Sequence, residues 1–256
     1  MEKLTIILGG PVGIYQYNLK FFDAFEKKFK CKIMRNSEFS FSTKIKKTKV
    51  EFLFCFNPKR DKNYNLLKKY LAIEQKELMP PPSEVLAKRI KGNDPVLFFG
   101  LCGGFKGKID QVYLPTQFKE LNFGEDIIRH KVIEKLKPRK PITRKNILVG
   151  KIKGKKARIV TTNLTLAPKN VEKESMNHVR IMANKLLKHA DAVEKETYQI
   201  AKNIDKKTPL GLLVVASDVL HKEKYMLNLK LKRFKLNKDL FNHACHQAIE
   251  MVMEKF

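Results

Sequence analysis

Four cysteines in 256 residues, none in a CxxC spacing, supply neither a disulfide framework nor a zinc knuckle. Cys31, Cys55 and Cys102 sit in apolar segments and read as small buried hydrophobes. No apolar stretch reaches the roughly 18 residues that a membrane span needs. The first apolar run, Leu4 to Leu8, is too short for the core of a secretory signal, and Glu2 precedes it. The expected compartment is therefore the cytoplasm. Acidic residues are scarce, 26 against 53 basic ones, for a net charge of +27. Arginine is scarce as well, nine of those 53. Phosphate and base recognition favours the planar arginine fork. No helix-turn-helix, zinc finger or aromatic RNA-binding motif accompanies the charge, so a nucleic-acid partner is not favoured.

What is present is core-forming sequence, with 43% hydrophobic residues. Leu4 to Gly10 (LTIILGG), Val50 to Phe56 (VEFLFCF), Pro95 to Gly100 (PVLFFG) and Leu210 to Ala216 (LGLLVVA) are apolar runs that suit buried strands. Cys31 to Met34 and Phe39 to Ile45 are further strand candidates, and Val112 to Pro115 is a short one. Helical spacing covers Asn18 to Phe29, Asp61 to Leu78, Val171 to Leu187, Val193 to Ile204 and Asp239 to Lys255. A further helix, capped by Ser83, runs to Ile90. Lys135 to Arg158 lacks acidic residues and reads as a loop, or as a hairpin whose second arm is Ala157 to Thr162. Buried strands alternating with helices predict an α/β protein with a mixed sheet flanked by helices. With no repeat and no linker, one domain spans residues 1–256.

Ligands gather at the carboxyl ends of strands in such sheets. Three ends carry suggestive residues: Gly9-Gly10, Gly100 to Gly104, and Ser217-Asp218. Glycine pairs let a backbone approach a ligand, and an aspartate there can serve as acid or base. Each signal alone is weak.

Their order is more specific. GLCGGF (Gly100 to Phe105), QVYLP (Gln111 to Pro115), AVEKETYQIA (Ala192 to Ala201) and VVASD (Val214 to Asp218) together resemble the nucleoside phosphorylase and nucleosidase superfamily. The resemblance covers most of the chain and is most specific over residues 90–220. It implies a three-layer phosphorylase/hydrolase-like fold, a small-molecule nucleoside as substrate, and a homo-oligomer. It implies no cofactor, although phosphate can be a co-substrate. Asp218 matches the acid that protonates the departing base, and Glu196 the carboxylate that accepts from the ribose hydroxyls. Lys195 stands beside it in the ribose segment. Cys102, Gly103, Asn163, Thr165, Leu166 and Ser217 match base-side positions.

The nucleophile side departs from the family. Gly10 and Leu101 occupy the phosphate-facing positions, but the family has Ser or Thr where this chain has Leu101. Phe98 stands where hexameric phosphorylases carry an arginine. The first loop, GGPVGIYQY, holds neither their arginine nor the glutamate of methylthioadenosine-type nucleosidases. Lys195 is expected to face solvent, because lysine is rarely buried unpaired. His243 and His246, with Cys245 between them, form a helical pair too sparse for a metal site, and none is expected. Three readings stand: N-glycosidic cleavage by phosphorolysis or hydrolysis, a member that binds a nucleoside-like ligand without catalysis, and a basic nucleic-acid-binding protein.

Overall fold

The computed structural model describes residues 2–9, 15–37, 40–55, 83–105, 107–108, 111–121, 140–162, 186, 188–219, 246–247, 249–250 and 253, of which 15–20 and 217–219 are described by their backbone alone. The first apolar run forms β1 (Lys3–Gly9). Helix α1 (Tyr15–Phe29) follows and sets Phe21, Phe22 and Phe25 against one face of the sheet. The three- and four-residue spacing of these rings puts them on one helical stripe. They pack with Leu4, Ile6, Leu8, Phe52 and Phe99, and the Phe25 and Phe52 rings meet edge-on at 5.0 Å.

Strands β2 (Met34–Ser37), β3 (Ser40–Ile45) and β4 (Thr48–Cys55) form an antiparallel meander. The strand expected at Cys31 to Met34 begins only at Met34. Glu26 accepts the Ile33 N–H at 2.5 Å, and the Thr43 hydroxyl donates to the Lys32 carbonyl, so this stretch is tied down by side chains instead of a ladder. Helix α2 (Ser83–Arg89) precedes the central strand β5 (Val96–Gly104).

Strand β6 (Val112–Leu121) runs well past the expected end at Pro115. The register slips between Pro115 and Gln117, and a bulge is where a sheet tolerates proline. The hairpin expected from the basic stretch does not form. Strands β7 (Ile142–Thr143) and β8 (Lys155–Thr162) each pair with β6, antiparallel and parallel, and not with each other. The helix expected from Val193 is instead β9 (Ala192–Glu194) followed by helix α3 (Thr197–Asn203). Strand β10 (Leu210–Val219) is the long apolar run near the end. The helices expected over 61–78, 171–187 and 239–255 lie wholly or largely outside the described residues, as does Cys245.

All ten strands belong to one mixed sheet. Five of them close into a ring, β5–β10–β6–β8–β9 and back to β5, while β1, β4, β3 and β2 extend from β5 as an open wing. Alternation along β5 sends Leu97 and Phe99 to the α1 face and Val96, Phe98 and Cys102 to the other. That second face is covered by Leu86 and Ala87 of α2 and by Tyr198, Ile200 and Ala201 of α3. Among the described residues, one helix thus lies on one face and two on the other.

Two side chains fix α3 to the ring. Arg144 donates to the carbonyls of Ala201 (3.0 Å), Ile204 (2.5 Å), Asp205 and Thr208 (3.3 Å), where the helix ends. A cation there also complements the helix dipole. Asp191, just before β9, accepts from the Arg158 N–H (2.9 Å) and its guanidinium (3.3 Å) on β8. Burial opposes the Asp191 carboxylate, but the Arg158 hydrogen bonds and charge outweigh it and hold its pKa below the usual carboxylate range. A depressed carboxyl pKa stabilises the fold at neutral pH, and that contribution disappears as pH falls through the folded-state value. Asp191→Asn should therefore lower the urea midpoint at about pH 7, and the gap to the native protein should close by about pH 3. A gap that persists in acid would show that the charge is not what stabilises this junction.

Candidate active site

Strand β5 is the hub. On one side it pairs with β1 from Val96 through Phe99, and then with β9 at Gly103 and Gly104. The sheet forks between those two pairings. A divergence of this kind opens a crevice at the carboxyl ends of the strands, where open α/β sheets bind ligands. On its other side β5 runs parallel to β10 along its whole length. The register slips between Ala216 and Asp218, so Ser217 is an extra residue with no partner position on β5. Gly103 is thereby paired with Val193 on one side and with Asp218 on the other. Neighbouring strands lie about 4.8 Å apart, so the backbones at 193 and 218 stand about 10 Å apart across Gly103.

The corner between β9 and α3 carries three consecutive buried charged residues: Glu194 (6% exposed), Lys195 (8%) and Glu196 (2%). The expectation of a solvent-facing Lys195 fails. Both edges of β9 are paired inside the closed ring, and an acidic residue flanks the lysine on either side in sequence. Glu194 is the centre of the hydrogen bonding. Its Oε2 accepts the backbone N–H groups of Glu196 (2.5 Å) and Thr197 (2.7 Å). Its Oε1 accepts the hydroxyls of Thr197 (2.7 Å) and of Thr161 on β8. Burial raises the Glu194 pKa above the usual carboxylate range, and these four hydrogen bonds pull it back down. Further along α3, Gln199 donates to the buried Glu120 of β6 at 2.7 Å, which extends the polar interior of the ring.

Cys55, at the end of β4, belongs to the same corner. Burial pushes its thiol well above the ordinary range, and the fields of Glu196 and Glu194 add to that. The thiol is thus held neutral and is no nucleophile. Phe98 is fully buried on this face, and its ring fills the space beside Gly9 and Gly100. A Cβ on Gly9 would meet that ring at 2.5 Å, and one on Gly100 at 3.0 Å, so glycine at both strand ends is a packing requirement.

Cys102 is buried in the cluster that holds Phe98 and Cys55, whereas Leu101 is half-buried and packs into the cluster on the α1 face. The side chains of Leu101 and Cys102 therefore point to opposite sides of the sheet. Gly103 lies between the β9 corner and Asp218 as described. Gly10, Asn163, Thr165, Leu166 and His243 lie outside the described residues, and Ser217 and Asp218 are placed by backbone alone. His246 packs its ring on Phe21 at 6.4 Å. Among the described residues no cluster of three metal-ligating side chains occurs. No helix among them is long and apolar enough to cross a membrane.

No protein-family profile matches the chain, and no curated protein sequence is similar to it. Solved structures are similar over the full length. The 5′-methylthioadenosine/S-adenosyl homocysteine nucleosidase (MTAN) of Campylobacter jejuni matches at TM-score 0.54 and 15% identity, covering 96% of this chain and all of that one. The MTAN of Chlamydia trachomatis matches at TM-score 0.57 and 14% identity, over 100% and 99% of the two chains.

The fold is that of the MTAN nucleosidases.

A futalosine hydrolase mutant of Helicobacter pylori shares this nucleosidase fold with the chain at TM-score 0.55 and 16% identity, over 99% and 100% of the two chains. At such identities the likeness is one of fold, and this chain is a divergent bearer of it.

Three residues of the corner escaped the sequence reading: Glu194, Thr161 and Cys55. Glu194 and Thr161 are partners across β8 and β9, a register that no local pattern encodes. Cys55 was read as filler because an apolar strand surrounds it. The usable signal was the acid two residues before Glu196, at a position where a strand gives way to a helix.

Proposed function

We propose that the protein cleaves the N-glycosidic bond of a nucleoside by hydrolysis. The observation that supports this best is the buried Glu194-Lys195-Glu196 corner, set at a fork of the nucleosidase-type sheet across Gly103 from Asp218. In this reading Glu196 accepts from the two ribose hydroxyls and supports the positive charge that develops on the sugar. Asp218 delivers a proton to the departing base. The base lies along Cys102, Gly103 and Ser217, with Asn163, Thr165 and Leu166 completing its pocket. Lys195, buried beside Glu196, belongs to the ribose side. Structures of the Chlamydia protein bound to MTA and to adenine show that this fold accepts a nucleoside and a free base.

Hydrolysis is favoured over phosphorolysis by Phe98. A phosphate beside Gly10 and Leu101 needs a cation or hydroxyl donors. The position where hexameric phosphorylases place an arginine here holds a buried phenyl ring packed on Gly9 and Gly100. Water, with no other cofactor, is the proposed attacking group.

A panel of purine and pyrimidine nucleosides, assayed with and without inorganic phosphate, tests this. The expected result is free base and free ribose at a rate that phosphate does not change. Release of ribose 1-phosphate would replace hydrolysis with phosphorolysis. Ligand-induced thermal stabilisation with no base released would favour a binder without catalysis.

A further inference from the structure

Helix α3 begins at Thr197, and the first N–H groups of any helix lack partners within it. The common solution is a short Ser, Thr, Asp or Asn at the cap position. Here that position is Glu196, and its side chain does not cap the helix. The work is done two residues earlier. Glu194 takes the N–H groups of Glu196 and Thr197 on one oxygen, and the Thr197 hydroxyl (2.7 Å) and that of Thr161 on the other. The Thr161 oxygen in turn accepts the N–H of Tyr198 at 3.0 Å. One carboxylate thus takes four hydrogen bonds, which matches its four lone-pair sites. Through Thr161 it also bolts the start of the helix to β8.

This is a costly way to cap seven residues. Burying a carboxylate carries a desolvation penalty that a serine at the cap would avoid. The arrangement does achieve one thing that a serine at position 196 could not. It satisfies the first turn while leaving position 196 to a longer acid whose main chain is held by the same network.

We infer that Glu194 is a positioning residue that fixes Glu196 for ribose binding, with Thr197 and Thr161 as the hydroxyl partners that orient its carboxylate. This inference rests on the nucleoside reading above. A carboxylate that must meet two hydroxyls at once is sensitive to sub-ångström displacement, so pre-organising its backbone contributes directly to binding and to the transition state. Glu194 itself makes no contact with substrate.

The test separates ribose recognition from folding. Native protein, Glu194→Gln, Thr197→Val, Thr197→Ser and Glu196→Gln are compared on adenosine, on 2′,3′-dideoxyadenosine and on adenine. Preference for adenosine over the dideoxy analogue is read as a ratio of kcat/KM, or of dissociation constants where no base is released. The expected result is that Glu194→Gln cuts this preference by up to about 100-fold, to near that of Glu196→Gln, while the dissociation constant for adenine stays within about 2-fold. The double variant Glu194→Gln/Glu196→Gln should lose little more than Glu196→Gln alone, because both act on one contact. Thr197→Val should shift the preference in the same direction, and Thr197→Ser, which keeps the hydroxyl, should restore it. Thr197→Val also keeps the inference testable if Glu194→Gln does not fold.

Equal losses on all three ligands would make Glu194 a structural cap only and overturn the inference, as would no loss at all. Native protein that binds none of the three would instead remove the nucleoside reading, and this inference with it. That outcome is distinct from a native protein that binds them while its Glu194 variants do not discriminate.

Discussion

Asp218→Ala should reduce base release from a purine nucleoside by about 10²- to 10⁴-fold, the range expected for loss of a general acid. The argument starts from the leaving group. A base departing as an anion is poor, and a carboxyl group that gives it a proton removes that charge as the bond breaks. Asp218 lies at the carboxyl end of β10, just past the register slip, and is paired with Gly103 of β5. The corner that holds Glu196 is paired to the same glycine from the other side. The two acids are therefore separated by one strand, a distance suited to gripping a base at one end and its sugar at the other.

The chemistry supplies a control that folding cannot mimic. A 4-nitrophenyl riboside leaves without needing a proton, so on that substrate the same variant should lose less than about 10-fold. An equal loss on both substrates would assign Asp218 to structure or binding. Activity within a few-fold of native on the nucleoside would remove it from catalysis altogether.

The second large effect concerns stability. Asn146→Ala should destabilise the fold by about 3–5 kcal/mol and lower Tm by about 6–15 °C. Asn146 is buried in the turn region between β7 and β8. Its Nδ2 donates to the carbonyls of Pro115 (3.0 Å) and Leu212 (2.7 Å), and its Oδ1 accepts the N–H groups of Leu148 (3.0 Å) and Leu212 (3.2 Å). One side chain thus joins β6, β10 and its own turn, and takes the place of a ladder partner for Leu212. Removing it leaves four backbone groups without that partner. Each buried orphan costs about 1–3 kcal/mol, and relaxation or an entering water recovers part of the sum. Thermal denaturation followed by circular dichroism measures this. A loss below about 1 kcal/mol would mean that the junction is held by its apolar neighbours Leu148 and Leu212 alone.

These two residues mark what sequence does and does not disclose. The apolar runs of β1, β4, β5 and β10 announce themselves because a strand buried on both faces needs nothing but hydrophobic side chains. Asp218 and Glu196 stood out by resemblance, in the right order along the chain. Asn146 and Glu194 did not. Each acts through backbone groups far off in sequence or across a ladder, and neither pattern nor propensity records which groups those are. The same limit explains β9. Three residues, Ala192 to Glu194, are too few to show alternation, and the helical spacing that follows them absorbed them into α3. Pro115 misled for a related reason, since the register slip that lets β6 continue past it is set by β8 and not by the residues around the proline.

The placement of β10 in the middle of the sheet also sets the order of events during synthesis. β10 inserts between β5 and β6, so neither edge is satisfied until residues 210–219 have left the ribosome. At about 5–20 residues per second, translating from residue 104 to residue 210 takes about 5–20 s. For that time β5, among the most apolar strands of the chain, has an open side, and an open strand edge is where chains pair wrongly with one another. The crevice at Gly103 comes into being only when that last strand arrives, so ligand binding is a late product of folding, and a nascent chain that stops short of Asp218 has no site to protect it.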